Sequence, residues 1–299
     1  MAGIVQTIGL GELFALSASF TYAVTLVCLR QGLRSGSPLT AILFSSFFIA
    51  TVSLAVSYLR GSLQASTFAP LFWFFLAGAA GQGLGNLNSF IGIERLGVSR
   101  STTIASSAPL WGAFFAVLVL GERPGTAILG GTVLIVAGVG LLATAEEPGS
   151  RGLPRWRQRG LLFPLAASLS FASIPIFNKL AFAHQKTPVV GVGVSFAAAG
   201  ITLLLGRLLL PAKGTIRADR RALFWFALAA IGHLVSSILL ALAYMIGNVT
   251  TTLPLGRLAP LWVLLLSWLF LGRLERITWR VAAAAALVVG GGVLVTAFR

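Results

Sequence analysis

Residues 11–23 read "GELFALSASFTYA", and residues 160–172 read "GLLFPLAASLSFA". Two further blocks recur in the same order: "LFWF" begins at Leu71 and again at Leu223, and "APLW" begins at Ala108 and again at Ala259. Three matched blocks in one order mark a duplicated chain. The organisation that follows is a first repeat over residues 1–145, a polar basic linker over 146–159 and a second repeat over 160–299.

The repeated unit belongs in a membrane. Of the 299 residues 57% are hydrophobic and only 10% are charged, against roughly 25% charged in an ordinary soluble domain. Apolar runs of about 20 residues, enough to cross the hydrocarbon core, follow one another with short polar breaks. They predict ten spans at roughly 11–32, 38–59, 68–93, 98–120, 125–144, 160–182, 188–210, 221–245, 250–271 and 278–297. No run is left over for a soluble domain. The first run is read as a retained span, because no Lys or Arg precedes it and no small-residue cleavage pattern follows.

Five spans per repeat is an odd number, so the second copy must enter the membrane from the opposite side. The expected fold is an all-α membrane protein with ten transmembrane helices in a 5+5 inverted-topology repeat. Such repeats point to alternating-access transport, in which two related halves rock around a shared central site.

A net charge of +15 would suit nucleic acid, but the basic residues sit mostly between apolar runs, where cytoplasmic anchoring explains them. Of the 22 Lys and Arg, sixteen fall on the side that holds loops 1–2, 3–4, 5–6, 7–8 and 9–10, among them Arg30, Arg95, Arg155, Arg207 and Arg276. Five fall on the other side: Arg60, Arg123, Lys179, Lys186 and Arg299. The count places both termini outside a cell membrane crossed many times. Arg257 belongs to neither group.

The pattern resembles the drug/metabolite transporter superfamily, in particular its EamA-type members, and the likeness runs over nearly the whole chain. It rests on Pro109 and Pro260 in the fourth span of each half, on "LGE" at Leu120, Gly121 and Glu122, and on the Gly-rich fifth span with Gly130, Gly131, Gly138 and Gly140. The second half departs from this pattern, reading "LGRLE" with Arg273 aligned to Glu122. The resemblance implies secondary transport of small organic metabolites, often export of amino acids, without ATP. It also implies cytoplasmic termini, against which the charge count is preferred.

Candidate solute-binding residues come from polar groups inside spans. In the third span Gln82 and Asn86 lie four apart on one face, beside the GxxxG of Gly81 and Gly85. In the eighth, His233 lies near the midplane, with Ser237 and Tyr244 at helical spacing on about the same face. Ser106 precedes Pro109 in the fourth span, where Ser and Thr hydroxyls can equally return to their own backbone. Trp111 and Trp262 follow the two prolines and either line a pathway or pack. Pro109 and Pro260 each free a carbonyl one turn earlier and are candidate hinges.

Arg257 in "TTLPLGRLAP" (251–260) is the sharpest of these. A ninth span starting near Thr250 puts it roughly 10 Å deep, where an unpaired charge costs at least a few kcal/mol. The rival is Pro254 in the first helical turn, with Arg257 snorkelling to the interface. Its counterpart in the first repeat is Ser106.

Carboxylates stay near span ends or in loops. Glu12, one turn into the first span, is an interfacial charge or, with His233, a candidate proton carrier. The expected function is therefore a secondary transporter of an amino-acid-like or carboxylate-bearing metabolite in the export direction. Its partners are the small-molecule substrate, the lipid bilayer and protons as a candidate coupling ion; no nucleic acid is expected, and the chain is a monomer or homodimer. The alternatives are a polyspecific drug or aromatic amino-acid exporter with an apolar cavity, and an exchanger of phosphorylated or nucleotide-linked sugars, for which one arginine and one histidine are few. An intramembrane enzyme or scaffold is a distant third. HExxH and GxSxG are missing, and one Cys and two His make a zinc site implausible, so neither metal nor cofactor is expected.

Overall fold

The computed structural model describes residues 9–96, 98–145, 159–209, 216–271 and 279–298. The linker with Glu146, Glu147, Arg151, Arg155 and Arg157, then Lys213, residues 272–278 with Arg273, Glu275 and Arg276, and Arg299 lie outside the described residues.

All regular structure among the described residues is helical: α1 (Leu10–Gly32), α2 (Pro38–Leu59), α3 (Phe68–Leu96), α4 (Val98–Ala105), α5 (Ala108–Leu120), α6 (Thr126–Ala145), α7 (Leu162–His184), α8 (Pro188–Leu209), α9 (Arg220–Ile246), α10 (Val249–Gly256), α11 (Ala259–Leu271) and α12 (Trp279–Ala297). Seven helical stretches are long and apolar enough to cross a membrane: α1, α2, α3, residues Ser101–Leu120, α7, α8 and α9. Shorter apolar helices cover Thr126–Leu141 and Ala283–Ala297.

Local chemistry sets the ends. Ser37 caps α2 by accepting the Thr40 N–H, with Pro38 in the first turn, where a missing N–H costs nothing. Asp219 caps α9 through the Ala222 N–H at 2.6 Å. That bond, and then the Ser35 hydroxyl, hold its exposed carboxyl below the usual carboxylate range. At the end of α5, Gly121 takes φ +68, the left-handed conformation that glycine adopts without steric penalty. The Glu122 N–H then closes on the Ala116 carbonyl at 3.1 Å, a bond that ties Glu122 to the end of α5.

Two expected spans differ from a plain helix. The fourth is divided by a turn at Ser106 and Ser107 into α4 and α5, and the ninth at Arg257 and Leu258 into α10 and α11. Both breaks directly precede the "APLW" block, so each proline sits second in the helix that follows, where it needs no N–H partner. Inside α3, residues Ala77–Gly83 form a π-helical segment. There a Cβ on Gly78 would strike the Ser195 backbone of α8, and the Ser195 hydroxyl donates to the Phe74 carbonyl at 2.9 Å.

Helices of the first repeat pack chiefly on helices of the second: α1 along α9, α6 along α12, α2 along α8, and α3 on α7 and α8. The α6–α12 contact is reciprocal. A Cβ on Gly131 would meet the Gly291 carbonyl, and one on Gly291 the Gly131 carbonyl, the backbone-to-backbone approach that small residues permit in membranes. One apolar core gathers Ile49, Phe74, Phe182, Phe196, Tyr244 and Leu253 from both repeats.

Candidate functional site

The ninth span decides the geometry of the centre. α10 starts at Val249, so Pro254 is its sixth residue and not in its first turn. The expected placement of Pro254 in the first helical turn is therefore not the one found. Arg257 follows α10 as its C-terminal cap, about 12 Å along the axis from the start at 1.5 Å per residue. A cation there meets the negative end of the helix dipole instead of opposing it. Val249 to Pro254 and Leu255 are buried, whereas Arg257 is exposed. A buried half-helix thus ends on one exposed charge.

Aromatic rings surround that charge. The Arg257 guanidinium lies 5.4 Å from the centre of the Phe171 ring on α7, within cation–π range. The hydroxyls of Tyr22 on α1 and Tyr244 on α9 are within its electrostatic reach. Tyr22 also faces His233, with ring centres 5.2 Å apart, and Phe196 of α8 meets His233 edge-on at 5.1 Å. His233 stands at the middle of α9, half-buried. Tyr22 thus touches the histidine and lies within the field of the arginine, in a neighbourhood drawn from α1, α7, α8, α9 and α10.

The other expected residues divide. Gln82 and Asn86 are half-buried on α3, whose Gly85 abuts the Phe171 ring so closely that a Cβ would collide with it. Tyr244 is buried in the core beside the centre, and Ser237 is half-buried; it is the adjacent Ser236 that ties α9 to the Ala18 carbonyl at 2.8 Å. Ser106 stands apart. Its hydroxyl returns to the Thr103 carbonyl at 2.6 Å, and its neighbour across the helix contact is Gly140 of α6. Trp262 packs: its indole N–H donates to Ser19 at 2.9 Å, and its ring meets Phe20 at 5.6 Å. Trp111 is half-buried on α5, Pro109 is buried and Pro260 exposed.

Two acids meet the start of α10. Glu122 accepts the Val249 N–H at 2.7 Å, the Thr250 N–H at 2.9 Å and the Thr250 hydroxyl at 2.8 Å. Glu12, in the first turn of α1, is covered by protein: it is 3% exposed and accepts from the Thr251 hydroxyl at 3.1 Å. It is drawn inside because Gly11 packs on Gly247 with no room for a Cβ. Among the described residues no three His, Cys, Asp or Glu side chains gather as metal ligands.

Tyr22, Phe171 and Phe196 were not singled out from the sequence. The signal was present for two of them, since Tyr22 and Phe171 occupy the same place in the matched stretches "GELFALSASFTYA" and "GLLFPLAASLSFA". The grip of Glu122 on α10 had no such signal, as the partners lie 127 and 128 residues apart.

The EamA-like transporter family model matches this chain twice, over residues 9–144 and 158–297. The chain belongs to that family. It is a multi-pass membrane transporter of the drug/metabolite transporter superfamily, and members of the family are transporters, not enzymes. No curated protein matches the chain. A solved crystal structure, described only as that of a protein, shares the fold with a TM-score of 0.78 at 20% identity, covering 96% of each chain.

Proposed function

We propose that this protein is a secondary transporter that exports a small carboxylate-bearing, amino-acid-like metabolite by alternating access. Its ten spans form a 5+5 inverted repeat, with the termini outside the cell membrane as the charge count favours. The observation that carries the reading is Arg257, an exposed charge at the end of a buried half-helix, over the Phe171 ring and within electrostatic reach of Tyr22, which itself meets His233. A planar guanidinium binds a carboxylate through two parallel hydrogen bonds, while the rings suit the apolar part of the solute. In this reading Gln82 and Asn86 of α3, on the helix whose Gly85 abuts Phe171, add amide contacts. Pro109 and Pro260, each directly after a break, are the hinge positions.

A second reading draws on the rings alone: export of larger aromatic solutes, with Arg257 serving only those that carry a charge. Flux into sealed proteoliposomes separates the two. With Arg257→Ala at normal expression, transport of carboxylate solutes should fall about hundredfold, the loss of two charge-assisted bonds. Neutral aromatic solutes should be little affected. Undiminished transport of every carboxylate tested would overturn the first reading.

A further inference from the structure

The start of a helix leaves backbone N–H groups without partners, and α10 begins in the interior, with Val249 and Thr250 buried. Its own N-cap residue, Asn248, makes no side-chain capping bond. The cap comes instead from the other repeat, through the two oxygens of Glu122. Each oxygen takes one backbone N–H, and one of them also takes the Thr250 hydroxyl. Charge-assisted bonds of this kind are roughly twice as strong as neutral ones.

Glu122 is itself held firmly. Gly121 in the left-handed conformation and the bond from the Glu122 N–H to Ala116 fix its backbone to the end of α5. Lys179 of α7 lies within electrostatic reach of its carboxylate. At the other end, α10 is short, eight residues, and finishes at Arg257. Its flank is fitted against the first repeat as well: Leu253 fills the space that a side chain on Gly112 of α5 would occupy. A rigid element of two turns with one end anchored has little freedom at the other.

We infer that Glu122 is a positioning residue: by capping α10 from the opposite repeat it sets the place of the Arg257 guanidinium in the centre. The inference rests on the proposed role of Arg257 only where solute is concerned. The geometric part stands without it. It also gives "LGE" a physical content, in which the glycine supplies the turn and the glutamate the cap. The aligned "LGRLE" of the second repeat puts Arg273 at that position, a residue with no acceptor to offer an N–H.

The test needs no knowledge of the solute. With the sole cysteine removed as Cys28→Ser, Arg257→Cys is labelled by a charged thiol reagent in the Glu122 and Glu122→Gln backgrounds, with Thr102→Cys on α4 as the control. Glutamine keeps one acceptor and turns an N–H donor toward another donor, so the labelling rate at position 257 should rise about tenfold, the loss of one charge-assisted bond. The rate at position 102 should hold. Glu122→Asp, which keeps both acceptors, should give a smaller rise and serves if the glutamine variant folds poorly. Equal labelling at position 257 in all backgrounds overturns the inference, even if Arg257→Ala abolishes transport. In the otherwise native protein, Glu122→Gln should raise KM for carboxylate solutes with the maximal rate kept; a lower maximal rate at unchanged KM would also overturn it. If labelling shifts while transport ignores Arg257, the positioning role stands and only the carboxylate reading falls.

Discussion

The two broken helices share a position in the repeat and differ in what they do with the break. At the first, Ser106 and Ser107 fold their hydroxyls onto the Thr103 and Ile104 carbonyls at 2.6 and 2.7 Å, so the end of α4 is satisfied from within. At the second, Arg257 and Leu258 return their N–H groups to Pro254 and Leu255, and the Arg257 side chain is sent outward to Phe171. The surroundings remain paired. Ser19 on α1 accepts the indole N–H of Trp262, and its repeat counterpart Ser168 on α7 bonds Ser107 at 2.8 Å. One scaffold thus supports two chemistries: a self-contained turn in one half and a displayed charge in the other.

Moving the charge breaks this comparison hardest. The double variant Ser106→Arg, Arg257→Ser keeps composition and net charge, yet Ser106 faces Thr103 and Gly140, not the ring cluster. Carboxylate flux in proteoliposomes should therefore fall about hundredfold, as in Arg257→Ala. Recovery of flux would mean that the two breaks are interchangeable.

Smaller effects sharpen it. Gly121→Ala meets no atom within 4 Å, so its cost is backbone strain alone, about 1–2 kcal/mol. Gly130→Ala, also in open space but without a positive φ, should be close to neutral. Thermal unfolding in detergent, read side by side, checks that the turn behind Glu122 is held by conformation and not by packing. The least effect belongs to the serines. Ser107→Ala removes the bond to Ser168 and should cost about 1 kcal/mol. A cycle with Ser168→Ala should show the two substitutions to be less than additive, because they share one bond; full additivity would deny that contact a role in holding α4–α5 to α7.

Much of the fold was legible. The "APLW" blocks marked where the two spans depart from a plain helix, although a hinge within each span was expected and a full break before each proline was found. Apolar length led to helices, of which seven stretches are long and apolar enough to cross a membrane against ten expected, and the middle of α9 falls on His233. Arg257 was recognised because a lone cation within an apolar run is locally anomalous. The legible part ended at side-chain direction. Ser106 and Trp262 were candidates on spacing alone, but Ser106 bonds its own turn and Trp262 is held by Ser19. The π-helical segment of α3 likewise depends on Ser195 approaching Gly78 from another helix.

By itself, then, the sequence determined a duplicated, membrane-embedded helical chain, the prolines near which two spans are interrupted and the asymmetry between Ser106 and Arg257. Hydrophobic length, periodicity and proline act through neighbours a few residues away, so they can be read along a line. Only the tertiary structure decided that Phe171 meets Arg257, that Tyr22 and Phe196 face His233, and that Glu122 caps α10. Those contacts join residues far apart in the chain, and they depend on how helices of the two repeats cross, which no local pattern encodes.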